Sequence, residues 1–278
     1  MENKLHSIPY LGNGIGFKPE LKSFIFLNRD KIDFIEVIAE HYIDVPCIKL
    51  RELELLRQHF TIIPHAINLS LGSAQGIDKT YVKKLAKLVE YIDPPYWSEH
   101  ISYTQAHGLD VGHLSPIVYN SEFLEILSKN ISEIQSSISK PLILENITNH
   151  AELAGKEFTD ADFLNTLCEK TGVGLLLDIT NLFINSRNFS FDPYSFIEHL
   201  NLEKIVQCHY VGCEDQRNQL TDTHSRKTQV EIFSLIAFLL ERHVPKGILL
   251  ERDERFNDHD EIVSDLLMAK ELLEKIKV

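Results

Sequence analysis

The fold is decided by residues 61–103, where an apolar run, TIIPHAIN (61–68), is followed by DKTYVKKLAKLVEYI (78–92) and by a second apolar run, YWSEHISY (96–103). The two apolar runs have the length and the β-branched and aromatic content of buried strands, whereas the segment between them repeats its apolar residues at helical spacing. Asp78 stands at the start of that segment, where its side chain is expected to cap the helix. The stretch therefore predicts a strand, a helix and a second strand, which is the repeating unit of a parallel sheet.

The same alternation continues in both directions along the chain. Six further apolar runs have the same character: LGNGIGF (11–17), DFIEVIA (33–39), PLILENI (141–147), VGLLLDI (173–179), IVQCHYV (205–211) and GILLERD (247–253). Amphipathic helical patterns lie between runs or after the last one, at 121–138, 228–243 and 259–276. Strands this apolar are buried on both faces. Eight of them, separated by helices over roughly 250 residues, predict an α/β fold, a closed (β/α)8 TIM barrel, formed as one domain by residues 1–278.

An open, doubly wound sheet is the alternative architecture for this alternation. That fold usually carries a glycine-rich turn that opens a helix, and Gly12, Gly14 and Gly16 do form a GxGxG string, followed by Pro19. The string lies inside the first predicted strand and lacks the strand, turn and helix context of a dinucleotide-binding motif. Glycines at a tight strand bend are the better interpretation, so the barrel is preferred.

Composition narrows the range of functions. The 278 residues include 28 basic and 41 acidic side chains, which give a formal charge of −13. This charge removes the long-range attraction to phosphate on which nucleic-acid binding depends, and it disfavours a membrane surface in the same way. No segment approaches the ~20 apolar residues that cross a bilayer. The four cysteines include no C-x-x-C pair and are too few for a disulfide scaffold, which fits a reducing compartment. From charge, hydropathy and cysteine content together we expect a soluble, cytoplasmic protein with no nucleic-acid or membrane partner.

Polar residues in the predicted strands cluster at or near their carboxyl ends, where barrels place their chemistry. Glu99 is one of them, on the fourth strand. Four imidazoles and four carboxylates form the rest of this set, with two of the eight in the loop after the seventh strand: His65, His100, Glu145, Asp178, His209, Asp222, His224 and Glu251. We therefore expect these side chains to meet at one end of the barrel.

A single strand-end histidine or glutamate is usually structural, and Arg252 or Arg255 could pair with a buried carboxylate. The number of residues argues otherwise, because burying several carboxylates together is costly without counter-charges and arginine is scarce in these strands. Metal cations are the natural counter-charge. Nitrogen and oxygen ligands without thiolate suit two or three ions of iron, manganese or zinc better than copper or an iron–sulfur cluster, and spacing alone does not identify the metal.

Eight strings of the chain, in order, resemble a known family. They are IEVIAEHY (35–42), PHAINLSLGS (64–73), WSEHISY (97–103), LILENIT (142–148), LLLDITN (175–181), CHYVGC (208–213), DTH (222–224) and LLERD (249–253). This pattern is similar to domain-of-unknown-function family 692, the multinuclear non-haem iron-dependent oxygenases that include the methanobactin biosynthesis oxygenase. The resemblance covers essentially the whole chain.

The resemblance implies a xylose-isomerase-like barrel that holds two or three iron ions, mixed Fe(II)/Fe(III), with zinc or manganese possible in the purified protein. It implies a precursor peptide substrate, ribosomally made and oxidised by dioxygen at a cysteine, and a small partner protein that binds the leader peptide. The implied metal ligands are His65, His100, Glu145, Asp178, Asn181, His209, Asp222, His224 and Glu251. Among these, only Asn181 is added by the resemblance.

The chain departs from the family pattern at four points. Cys213 replaces a second histidine after the seventh strand, Thr180 precedes Asn181 where relatives often have two asparagines, His41 replaces an asparagine, and GLDVGHLSPIVYN (108–120) is unlike the usual loop. These differences leave the substrate and reaction open. A redox-inert metal hydrolase or isomerase on the same barrel, resembling endonuclease IV or sugar isomerases, and a non-catalytic binding module are the alternative functions.

Overall fold

The computed structural model describes residues 4–106, 108–216 and 219–276. The strands of this part of the chain are β1 (Gly12–Gly16), β2 (Phe34–Ile38), β3 (Thr61–His65), β4 (Trp97–His100), β5 (Tyr103–Ala106), β6 (Leu109–Ser115), β7 (Leu142–Glu145), β8 (Gly174–Asp178), β9 (Ile205–Tyr210), β10 (Gly212–Gln216), β11 (Gln219–Arg226) and β12 (Gly247–Leu250). The α-helices are α1 (Lys22–Leu27), α2 (Cys47–Arg57), α3 (Lys79–Ile92), α4 (Ser121–Ser137), α5 (Asp160–Thr171), α6 (Ile179–Phe189), α7 (Pro193–His199), α8 (Val230–Leu240) and α9 (His259–Ile276).

The predicted barrel is confirmed. Eight parallel strands close in the order β1-β12-β9-β8-β7-β4-β3-β2, with β1 paired to both β12 and β2. All eight predicted apolar runs contain one of these strands, and the open sheet is excluded because the first and last strands pair. The register places His100 beside Glu145 and Asp178 beside His209, so strand ends that are distant in sequence reach the same level of the barrel.

The barrel has two apolar layers. Side chains on the outer face of the strands pack against the surrounding helices in the larger cluster, and a smaller one fills the lumen with Leu5, Ile8, Phe34, Ile63, Tyr96, Ile143, Leu176, Val206 and Leu249. The glycine pattern of β1 follows from this packing: a Cβ on Gly14 would lie 2.6 Å from the Phe34 ring, so the ring needs glycine beside it. The GxGxG string is therefore structural.

Side-chain caps begin two of the helices that pack around the barrel. The Asp78 side chain accepts a hydrogen bond from Thr80 N and caps α3, as predicted. For α4 the cap is Asn120, which accepts from Phe123 N, and Ser121 is already helical. Of the helices in the described part of the chain, none combines the length and hydropathy required to cross a bilayer.

Two long connections on the carboxyl side of the barrel are antiparallel hairpins. β5 pairs with β6 after β4, and β10 pairs with β11 after β9. The second hairpin carries Asp222 and His224, which brings them to the end of the barrel where the strand-borne residues lie.

Candidate metal centre

The carboxyl ends of β3, β4, β7, β8, β9 and β12 surround a polar cup above the apolar lumen. Among the described residues, histidine nitrogens and carboxylate oxygens in this cup form three groups, and within each group the potential ligand atoms lie within 4.8 Å of one another. The groups are His65, His100 and Glu145; then Glu145, Asp178, His209 and Glu251; then His224, Glu251 and Asp253. Since Glu145 and Glu251 each belong to two groups, the three form one continuous centre.

The first group joins β3, β4 and β7. The Nε2 atoms of His65 and His100 each lie 3.6 Å from Oε2 of Glu145 and 3.3 Å from one another. All three side chains are buried. Two imidazoles and a carboxylate that converge on one point match the ligands of a first-row divalent ion.

The second group joins β7, β8, β9 and β12. His209 Nδ1 lies 3.1 Å from Oε2 of Glu251 and 3.6 Å from Oε1 of Glu145. Asp178 is the fourth member of this group. Its Oδ1 atom accepts a hydrogen bond of 2.6 Å from Asn181 N at the start of α6. Asp178 is thus both the helix cap and a candidate ligand.

The third group lies at the edge of the cup. His224 Nδ1 is 3.8 Å from Oε2 of Glu251 and 3.3 Å from Oδ2 of Asp253. The carbonyl of His224 accepts hydrogen bonds from Asp253 N and Glu254 N, which fix the hairpin to the end of β12. His224 has a φ of 46°, a left-handed conformation that is strained in a non-glycine residue and is typical of functional sites.

Two further predicted ligands border these groups. Oδ2 of Asp222 lies 2.8 Å from His224 Nε2, so the D-x-H pair is held side by side, although Asp222 belongs to none of the three groups. The amide of Asn181 donates to the carbonyl of Asn146, while its Oδ1 is buried and has no partner among the described residues. That oxygen is available to a cation beside Asp178.

A second set of side chains lies behind the histidines. His65 Nδ1 is 2.8 Å from Ser98 Oγ, His100 Nδ1 is 3.4 Å from Glu99 Oε1, and His209 Nε2 is 3.1 Å from Glu36 Oε1. Such contacts orient metal-binding imidazoles and select their tautomer. Glu99 therefore does not face the cup, contrary to our expectation, because strand alternation turns it to the outer face, where it also accepts from Leu69 N.

Asp253 and Glu36 are the residues that the sequence reasoning missed. Asp253 lies two positions after Glu251, and Glu36 is an acidic residue inside the apolar run of β2. Both signals were in the sequence: a strand period of two for Asp253, and an isolated glutamate among buried positions for Glu36.

The cup carries excess negative charge. The ion-pair contacts of Glu145 and Glu251 with described residues are all with histidines, and buried Arg252 reaches Glu261 and Asp258 instead. Arginine pairing therefore does not explain the burial of the two glutamates. Lys18 reaches only the rim, 2.6 Å from Asp253.

The pKa values follow this charge. Burial lowers the pKa of His100, but Glu145 and Glu99 oppose it and bring the value to about 9. Burial also acts to lower the pKa of His209, yet Glu36, Glu145 and Glu251 raise it well above its ordinary range. For Asp178, burial raises the pKa, and repulsion from Glu145 and Asp222 raises it further. Cations in the cup would offset the repulsion between these buried carboxylates.

Orphaned polar atoms provide a direct test of whether the residues fit metal ions. Four buried oxygens in the cup have no hydrogen-bond partner among the described residues: Glu145 Oε2, Asp178 Oδ2, Asn181 Oδ1 and Asp222 Oδ1. Buried polar atoms are otherwise almost always satisfied. Their concentration on one cup fits cations, which accept several lone pairs at once.

The residues that depart from the family pattern lie outside the three groups. Cys213 is buried in the apolar layer, and its backbone exchanges hydrogen bonds with the side chain of Gln229. Thr180 exchanges hydrogen bonds with the backbone of Val211, which ties the end of β8 to the end of β9. His41 is exposed.

The fold and the cup define a xylose-isomerase-like barrel with residues suited to binding several metal ions. The chain belongs to the family of RiPP precursor modification enzymes MbnB/TglH/ChrH, whose model matches residues 12–274. A "UPF0276 protein" of Caulobacter vibrioides is 29% identical over 94% of both chains. Another, from Streptomyces avermitilis, is 31% identical over 98% of this chain and 57% of its own length.

Solved structures agree with the fold. The xylose isomerase domain protein from Planctomyces limnophilus has a TM-score of 0.62 at 12% identity, over 97% of this chain and 99% of its own. Endonuclease IV from Thermus thermophilus has a TM-score of 0.58 at 11% identity, over 95% and 98%. Identities this low show a common fold alone.

Proposed function

We propose that the protein is a multinuclear non-haem iron-dependent oxygenase that oxidises a ribosomally synthesised precursor peptide, at a cysteine side chain, with dioxygen. The observation that carries the proposal is the continuity of the three ligand groups through Glu145 and Glu251, in a chain of a peptide-modifying family. Bridging carboxylates hold metal ions close enough to act on one substrate.

The iron ions would be held by the side chains that converge on the cup. These are His65, His100, Glu145, Asp178, Asn181, His209, Asp222, His224 and Glu251, with Asp253 added by its position. Two or three irons in mixed Fe(II)/Fe(III) state fit the groups, and zinc or manganese is compatible with the same ligands. When bound, iron supplies the capacity to accept and pass on the four electrons that the peptide loses to dioxygen.

The chain itself contributes geometry. Ser98, Glu99 and Glu36 hold the imidazoles from behind, and the apolar side chains of the lumen lie below the cup. Asp222 and His224 of β11 lie at the carboxyl end of the barrel, at the edge of the cup. We propose that a peptide side chain enters from that end.

The family supports a precursor peptide as the substrate. We propose that the protein is cytoplasmic, that a precursor peptide enters with a cysteine toward the cup, and that a small partner protein binds the leader segment of this peptide. Thr180 and Cys213, where the chain differs from the family pattern, leave the particular peptide open.

The test is anaerobic purification, metal analysis and oxygen uptake with a precursor peptide encoded beside this chain, followed by mass spectrometry of the peptide. We expect two or three irons per chain, oxygen consumption, and a mass change located at a cysteine. About one zinc per chain with no oxygen uptake would overturn the proposal. Activity with zinc or manganese without oxygen would favour the redox-inert hydrolase or isomerase instead.

A further inference from the structure

A second concave site lies beside the cup. A cavity of about 980 Å³ opens between the loop from β7 to α5 and the corner between α6 and α7, and none of the candidate metal ligands lines it. Its floor contains the half-buried rings of Tyr119, Phe158, Phe191 and Phe196. Tyr119 is held flat on buried Phe163, with ring centroids 4.3 Å apart and planes at 8°. Aromatic rings kept partly open in a cavity form a binding surface for apolar side chains.

The rim of this groove is acidic. Five carboxylates line it against one ammonium group, that of Lys156, which is already paired with Asp160. Glu152 has no hydrogen-bond or ion-pair partner among the described residues, and the adjacent Leu153 side chain is 38% exposed. An apolar floor under an acidic rim complements a ligand that combines an apolar side chain with positive charges.

The groove is connected to the cup along one face of α6. Asn181 Nδ2 donates to the carbonyl of Asn146, and Asn185 Nδ2, one helical turn later, donates to the carbonyl of Ile147. Asn149 N in turn donates to Asn185 Oδ1, and both Asn149 and Asn185 line the groove. The segment that continues β7 beyond Glu145 thus runs from the cup into the groove.

We propose that this groove binds a cationic segment of the precursor peptide, with an apolar or aromatic side chain on the ring floor and lysine or arginine at the rim. The identity of the ligand rests on the proposed function, whereas the groove does not involve the metal ligands. Binding there holds the peptide next to the cup and supplies affinity that the reactive side chain alone lacks.

The experiment uses the metal-loaded protein and short fluorescent peptides without cysteine. The probe carries a Phe-Leu pair flanked by lysines; one control peptide has glutamates in place of the lysines, and the other has serines in place of Phe-Leu. We expect each control peptide to bind about tenfold more weakly by fluorescence anisotropy, and the affinity of the probe to fall at high salt. Equal binding of the glutamate peptide would overturn the proposal.

Variants of the groove locate the binding. Glu152→Lys and Leu153→Ser lie on an exposed loop, and each is expected to weaken probe binding at least about threefold. Glu271→Lys makes the same charge change on the exposed face of α9 and should leave binding unchanged. A photoreactive phenylalanine in the probe should label residues 149–162 or 185–199.

The outcomes separate this inference from the proposed function. If the probe binds both groove variants with unchanged affinity, or labels residues elsewhere, the groove is not the peptide-binding site, even if the iron chemistry is correct. Probe binding that depends on the groove in a protein without oxygen uptake supports the groove and rejects only the chemistry. A dimer in sedimentation that Glu152→Lys dissociates would assign the groove to self-association and overturn peptide binding.

Discussion

The Oε1 atom of Glu36 lies 3.1 Å from Nε2 of His209, while Nδ1 of the same imidazole lies 3.1 Å from Glu251. His209 is therefore held between a carboxylate below the cup and one inside it. Gln207 donates to the other oxygen of Glu36 and accepts from Tyr96, which anchors the carboxylate in the lumen. This geometry assigns Glu36 a positioning role.

Replacing Glu36 with glutamine should weaken metal binding without removing a ligand. The loss of a carboxylate behind a metal-binding histidine typically costs about 10–100-fold in affinity. Competition with a chelator, followed by metal analysis, measures the effect, and Glu271→Gln on the protein surface is the control. Unchanged affinity in the Glu36 variant would show that Glu36 only fills the lumen.

The bridging position of Glu145 predicts a larger loss of metal than at a terminal position. Glu145→Gln affects two groups at once, whereas Asp253→Asn affects only the third. We expect Glu145→Gln to lose more than one ion per chain, because this carboxylate belongs to two groups. Asp253→Asn should lose about one ion, because its carboxylate belongs to a single group. Elemental analysis after anaerobic loading distinguishes them; equal losses would contradict the bridge.

The third group should bind its ion most weakly, because Lys18 already neutralises Asp253 at 2.6 Å and that carboxylate is 38% exposed. Lys18→Ala removes a competing cation and should strengthen binding of the weakest ion by up to about fivefold, the upper range of an exposed ion pair. Lys22→Ala, whose ammonium pairs with Glu52, is the matched control. If a metal titration shows that Lys18→Ala lowers the affinity for the last ion or leaves it unchanged, Lys18 does not compete with that ion.

Asp265 predicts a pH dependence of stability away from the cup. Burial raises the pKa of Asp265 to about 6, although hydrogen bonds from Thr228 act in the opposite direction. Because the pKa of Asp265 is higher in the folded protein than in the unfolded chain, the folded protein holds this proton more tightly. The resulting stabilisation is complete below the pKa of the unfolded chain and is lost as the pH rises toward 6. Asp265→Asn keeps an acceptor for both Thr228 donors, since only the other oxygen is unpartnered.

The free energy of unfolding of Asp265→Asn minus that of the wild type should therefore increase between pH 4 and pH 7, by up to about 3 kcal/mol. Denaturant unfolding followed by fluorescence of the single tryptophan, buried Trp97, provides the measurement. The metal ligands titrate in both proteins, so their contribution cancels in the difference. A difference independent of pH would contradict the shifted pKa.

Local patterns were sufficient for much of the architecture. The eight apolar runs matched the eight barrel strands, because a strand that is buried on both faces is apolar along its whole length and can be recognised without knowledge of the residues that pack against it. The predicted cap at Asp78 is present, because a short acidic side chain at that position accepts a hydrogen bond from the first turn of the helix.

The sequence by itself determined the barrel and the set of polar residues at its carboxyl end, since parallel strands in a closed barrel all finish on one side. Only the tertiary structure decided which way each side chain points. Glu99 faces outward and Glu36 inward, Asp253 joins the third group, and the strained backbone of His224 turns its imidazole toward Glu251. These directions depend on strand register and on contacts between residues far apart in the chain, and a one-residue change of register would reverse them.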